Sequence, residues 1–311
     1  MHKILILIFI LISPIVCKSE DVNYLLTSAA KGDIETVNAI ILSGADINVI
    51  DQNSLNALMY AARKNEFKIV ETLIKNNIKV NHKDNSGWTA LMYAAKKNYV
   101  ETAKLLLNNK ADPKITDPDG WSAFGLAASG GHAETINLLI NYGIDPNNRN
   151  NSGQTVLMIA AKKGSLPVIN SLVDNKADIS LKDPNGKTAL MIAASYGNLD
   201  VVKFLLNRGA SIDEKDKSRW SALTWAVEKD HSEIAEALIK KGSSVNQTDD
   251  QDTPLLHYAV LNNNLAIVDL LISNKVNLKA KDKYGLTAYV YALKEKNKAI
   301  AELIKVNGGS Y

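Results

Sequence analysis

The chain has 311 residues, 46% of them hydrophobic and 22% charged, proportions ordinary for a soluble globular protein. Its net charge of +3 is too small to call for a polyanion, which argues against a nucleic-acid partner. A single cysteine, Cys17, excludes an internal disulfide and any cysteine-based metal site.

Residues 1–17 differ from everything after them. Met1, His2 and Lys3 make a basic start, Ile4 to Ile12 is an unbroken apolar run, and Ser13 and Pro14 break it. This is the pattern of a secretory signal peptide. The run to Val16 falls short of the roughly 20 apolar residues needed to span a bilayer, and no second stretch of that length follows. Residues 18–311 are therefore expected as one exported domain, in the periplasm or cell envelope or released to the medium. Cys17 stands where a bacterial lipoprotein carries its acylated cysteine, although Val16 is branched where that signal places a small residue. Cleavage after Cys17 or Ser19 is the alternative, and it leaves a soluble chain without an anchor.

From residue 21 onward a string close to D-x-x-G-x-T-A-L-M-x-A-A recurs every 33 residues. It is clearest from Asp84 to Ala95 and from Asp183 to Ala194, and weaker from Asp51, Asp117, Asn150, Asp216, Asp249 and Asp282. Each unit continues through a turn, an apolar helix such as Val201 to Leu206, and a closing segment such as Gly44 to Asn48. The turn falls at Gly32, Asn65, Asn98, Gly131, Gly164, Gly197, Asp230, Asn263 and Lys296 without a slip in register.

These residues resemble the ankyrin repeat, a 33-residue unit of β-turn plus two helices carrying T-P-L-H in its first helix. The resemblance runs from about Asp21 to Asn307 in nine units, the first and last incomplete, and is closest at Thr253, Pro254, Leu255, Leu256 and His257. It implies an all-α repeat solenoid in which each unit has a turn loop and two antiparallel helices. It also implies a protein-binding module without catalysis.

The unit makes physical sense. Asp183, Pro184, Asn185 and Gly186 are turn formers, and Thr188 can cap a helix opening at Ala189 and Leu190. Ala193 and Ala194 let neighbouring first helices approach. Leu199, Val202, Leu205 and Leu206 recur at helical spacing and face the adjacent unit. No single unit can bury that face alone, so stacking is obligatory.

No phosphate loop, nucleophile elbow or metal-spaced cluster occurs, and no cofactor is expected. The recurring aspartates read as one turn residue repeated, not a catalytic pair. His132 and His231 follow the mid-unit turn, where the ring is expected to help cap the second helix. The resemblance gives His257 a hydrogen bond within the turn. His82 lies in an inter-unit loop.

The resemblance implies a concave groove formed by the turn tips and the outer face of the first helices, and recognition is expected there. Trp88, Trp121 and Trp220 share one aligned position there, suited either to anchoring a partner or to rigidifying the turns. Trp225 shares a helical position with Tyr60, Tyr93, Leu126, Ile159, Ile192, Tyr258 and Tyr291, and core packing is expected for it. Arg63 and Lys64, Lys96 and Lys97, and Lys162 and Lys163 form basic pairs just before the mid-unit turn. A basic stripe beside aromatics favours an acidic protein surface. The expectation is a monomeric scaffold that holds one protein partner, as a chaperone-like or immunity protein, or as a secreted effector.

Overall fold

The structure, a computed structural model, describes residues 18–311. The signal reading and Cys17 lie outside the described residues. Eighteen helices make up those residues, with five isolated bridges and no strand among them. The chain divides into two compact units, the first ending at Asp145 and the second running Pro146–Tyr311.

The first unit holds α1 (Lys18–Lys31), α2 (Ile34–Leu42), α3 (Ala57–Lys64), α4 (Phe67–Lys75), α5 (Ala90–Lys96), α6 (Val100–Asn108), α7 (Ala123–Gly130) and α8 (Ala133–Asn141). Its odd-numbered helices pack in succession, α1 on α3, α3 on α5 and α5 on α7, and its even-numbered helices form a second row. The second unit holds α9 (Val156–Lys163), α10 (Leu166–Asp174), α11 (Ala189–Ser195), α12 (Leu199–Asn207), α13 (Ala222–Glu228), α14 (Ser232–Lys240), α15 (Leu255–Leu261), α16 (Leu265–Ser273), α17 (Ala288–Lys294) and α18 (Lys298–Val306), with the same two rows.

Local chemistry sets where each helix starts and stops. Thr188 Oγ1 accepts the Met191 backbone N–H at 3.3 Å, and Asn56, Thr89, Ser122, Thr155 and Ser221 cap their helices in the same way. All nine residues expected at the mid-unit turn have positive φ, between 57° at Asn263 and 82° at Gly131. A left-handed residue there ends the first helix and turns the chain back. The small pairs do what their size allows: Ala94, Ala95, Ala193 and Ala194 are wholly buried, so adjacent first helices meet closely. Val202 and Leu205 are also fully buried, while Leu199 and Leu206 are half-buried. Truncating one such leucine to alanine costs about 2–5 kcal/mol.

Each turn is built by its aspartate. Asp84 Oδ1 accepts the backbone N–H groups of Ser86 and Trp88, both at 2.9 Å, and Asp183 does the same for Asn185 and Lys187. The glycine inside the turn has a steric reason. A Cβ on Gly186 would lie 3.1 Å from Asp216 Cα of the next turn. Ser54, Arg219 and Asp252 occupy the same left-handed position without being glycine, with φ of 62°, 60° and 59°, a strain of roughly 1–2 kcal/mol each. Neighbouring repeats are then stitched by an asparagine. Asn81 Oδ1 accepts the Asp112 N–H, and Asn147 accepts that of Asp178, both at 2.8 Å.

Candidate functional site

The turns and first helices of each unit present one row of side chains, and the expected binding residues lie on it. Trp88, Trp121 and Trp220 are half-buried. Trp88 Nε1 donates to Asp117 Oδ2 of the following turn at 3.1 Å, and its ring meets Tyr93 with centroids 5.1 Å apart. The Trp121 ring lies over Gly125, where a Cβ would come within 3.1 Å of it. Trp220 packs against Trp225 and Tyr258. Each indole therefore rigidifies its turn while part of the ring stays in water.

The helical position shared by Trp225 corrects the expectation of simple core packing. Leu126, Ile159 and Ile192 are buried there, but the aromatic members are only half-buried. Each aromatic reaches back nine residues to the aspartate of its own turn. Tyr60, Tyr93, Tyr258 and Tyr291 donate their hydroxyls to Oδ2 of Asp51, Asp84, Asp249 and Asp282 at 2.8, 2.6, 2.5 and 2.6 Å. Trp225 Nε1 donates to Asp216 Oδ2 at 2.9 Å. The phenols respond. Burial, then the aspartate bond, raises Tyr60, Tyr93 and Tyr258, and the Asp282 bond with burial pushes Tyr291 up to about 12. Burial works to raise Asp249 and Asp282, but the phenol and backbone bonds prevail and hold both below the usual carboxylate range.

The cations of this face have a different fate. Arg63, Lys64, Lys96, Lys97, Lys162 and Lys163 are all exposed. Arg63 leans over Tyr93 at 5.9 Å, and Lys162 Nζ lies 5.1 Å from the Tyr196 ring. None of the six forms an ion pair among the described residues. The recurring turn aspartates are thus bonded to donors of the chain itself, whereas Asp119 at a turn tip is exposed and the six cations remain open to solvent.

The histidines stitch repeats together, which overturns two expected roles. His132 and His231 do not cap the helices they precede. Their Nε2–H groups reach the preceding repeat instead, donating to Lys96 O at 3.1 Å and Ser195 O at 3.3 Å. His257 does not bond within its own turn but donates to Leu286 O of the next repeat at 3.0 Å. His82 donates back to Ser54 O at 2.8 Å. Among the described residues no group of histidine, cysteine and carboxylate side chains is arranged to hold a metal ion, and no helix is long and apolar enough to cross a membrane.

A repeated turn and helix pair, stacked through small residues and closed by a turn aspartate, defines a class of repeat scaffold. The family model for ankyrin repeats (3 copies) matches residues 25–117, 107–183, 158–249 and 241–309, and the chain belongs to the ankyrin-repeat family. Among solved structures it is similar to the crystal structure of the human ASB11 ankyrin repeat domain, with a TM-score of 0.66 and 22% identity over 72% of this chain and 100% of that one. No curated protein matches the chain in sequence. Ankyrin repeats serve as protein-interaction scaffolds and bind protein partners.

Proposed function

We propose that the chain is an exported scaffold of the periplasm or cell envelope that holds an acidic surface of one protein partner on its turn face, in a chaperone-like or immunity role. The observation that carries the acidic preference is the asymmetry of charge pairing on that face. Asp51, Asp84 and Asp117 are bonded to Tyr60, Tyr93 and Trp88, whereas Lys64, Lys96 and Lys97, at the far ends of the first helices, have no carboxylate partner among the described residues. On this stretch the exposed cations Arg63, Lys64, Lys96 and Lys97 stand against the exposed turn-tip carboxylate of Asp119, and that excess of positive charge attracts carboxylates and steers their approach. The composition of residues 1–17 supports export, and Cys17 would be the point of lipid attachment if the chain is anchored.

The test is cross-linked capture from the envelope fraction with a Lys64→Glu, Lys96→Glu, Lys97→Glu variant beside the parent. All three side chains are exposed at the C-terminal ends of their helices, so the variant should stay folded while losing about 0.3–1 kcal/mol per reversal, which a thermal melt reads and against which capture is compared. Capture by the parent should weaken as salt is raised, and the variant should lose its partner chiefly through slower association. A variant that captures the same partner at the same rate ends the acidic-partner reading. Recovery of the chain from the medium alone would replace the envelope role with that of a released effector.

A further inference from the structure

Three aromatic side chains of the second unit meet on one patch of its turn face. The Trp220 ring stands edge-on to Trp225 with centroids 4.6 Å apart, and to Tyr258 at 5.3 Å. All three are half-buried, so one side of each rests on the repeat stack and the other is wet. Two are oriented by carboxylates, Trp225 by Asp216 and Tyr258 by Asp249. Rings held in this way have given up rotamer freedom before a partner arrives.

Two cations border the rings. Lys187, one repeat earlier, places Nζ 3.5 Å from the centroid of Trp225 and forms no ion pair among the described residues. An ammonium fixed by a ring face, not by an acid, keeps its charge available. Arg219 directly precedes Trp220 and keeps φ at 60°, where Gly153, Gly186 and Gly285 fill the same place in other turns of the unit. Its one ion pair, with Asp252 at 3.4 Å, joins side chains that are 53% and 77% exposed. Such a pair contributes little to stability and leaves the guanidinium open to a second carboxylate.

We infer that Lys187, Arg219 and the Trp220–Trp225–Tyr258 cluster form the principal docking patch of the second unit, and that it takes a partner segment in which a carboxylate side chain adjoins a large apolar one. The carboxylate meets Lys187, which has no ion pair among the described residues, and Arg219, whose only pair there is with exposed Asp252. Asp216 and Asp249 are already bonded to ring donors, and Glu228 beside Tyr258 sets the far limit of the acidic epitope. The apolar side chain lies on the wet edges of Trp220 and Tyr258. Tryptophan, tyrosine and arginine are the types that dominate binding hot spots. The inference rests on the turn face being the binding face and narrows it to one place and one epitope.

Three peptides of equal length test it, sharing a Leu-Phe core flanked by Glu, by Gln or by Lys, each titrated as a labelled probe against the full chain. The Glu peptide should bind at least tenfold tighter than the Gln peptide, and the Lys peptide should bind weakest. Lys187→Gln should erase that preference and leave the Gln peptide unaffected. Arg219→Gly should remove most of the preference while raising the melting temperature, a combination that a purely structural arginine does not give. Trp220→Ala should weaken the Glu and Gln peptides alike. Binding of no peptide, or a Glu preference unchanged in both charge variants, overturns the inference. If the preference disappears only when Lys64, Lys96 and Lys97 are reversed, the acidic-partner reading stands and this patch does not; if neither set matters, both fall.

Discussion

Proline at position 254 replaces the residue that would otherwise cap its helix. At the equivalent Thr155 the hydroxyl accepts the Met158 N–H and the backbone N–H donates to Met158 Sδ at 3.4 Å. Pro254 can do neither, so α15 lacks a side-chain cap and His257 Nδ1 is buried without a partner. The His257 backbone N–H already donates to Pro254 O at 2.9 Å, so Pro254→Thr gains one new bond, a backbone N–H to His257 Nδ1. It should stabilise the protein by no more than about 1 kcal/mol, a gain a thermal melt can read. His257 carries a second consequence. Burial lowers its pKa, opposed by the Leu286 bond and by Asp282. A base whose folded pKa lies below its free value of about 6.5 favours the folded state fully above that pH, and stability falls as pH drops below it. His257→Met, the residue at Met191, should therefore lose less stability than the parent between about pH 7 and pH 5. The histidine itself was legible in the sequence. Its partner was not, because Leu286 lies 29 residues away and only stacking brings it near.

The turn is the element that makes the repeat, and most of it was legible. The aspartate, the glycine, the capping threonine and the left-handed residue after the first helix all fall within fourteen residues of one another, as from Asp183 to Gly197, so spacing alone places them. The reach of Tyr60, Tyr93 and Trp225 to the same aspartates was hidden, since an apolar run gives no sign that an aromatic edge faces a carboxylate. Asp183→Ala should cost about 2 kcal/mol by leaving the Asn185 and Lys187 N–H groups unpaired. Asp183→Asn should cost far less, because Asn150 already fills this role, accepting the Gln154 N–H at 3.0 Å. Equal losses for the two variants in denaturant titrations would show that charge, not the Oδ1 acceptor, holds the turn.

For the molecule as a whole, the 33-residue period was enough to give the class of fold, because every repeat solves the same burial problem. The division after Asp145 was not legible, since the period continues through it without a slip. The bonds that join neighbouring repeats span little more than one period, 28 residues from His82 to Ser54 and 38 from Arg208 to Asn170. That short reach has a mechanical meaning. A chain pulled at two points within one unit has no long-range clasp to break all at once, so it should yield one repeat at a time. Each release would pay out roughly 110–120 Å of extended backbone, visible as regular teeth in a single-molecule force trace. A scaffold built in this way acts as a shock absorber, giving ground in equal steps and taking it back when the load is removed.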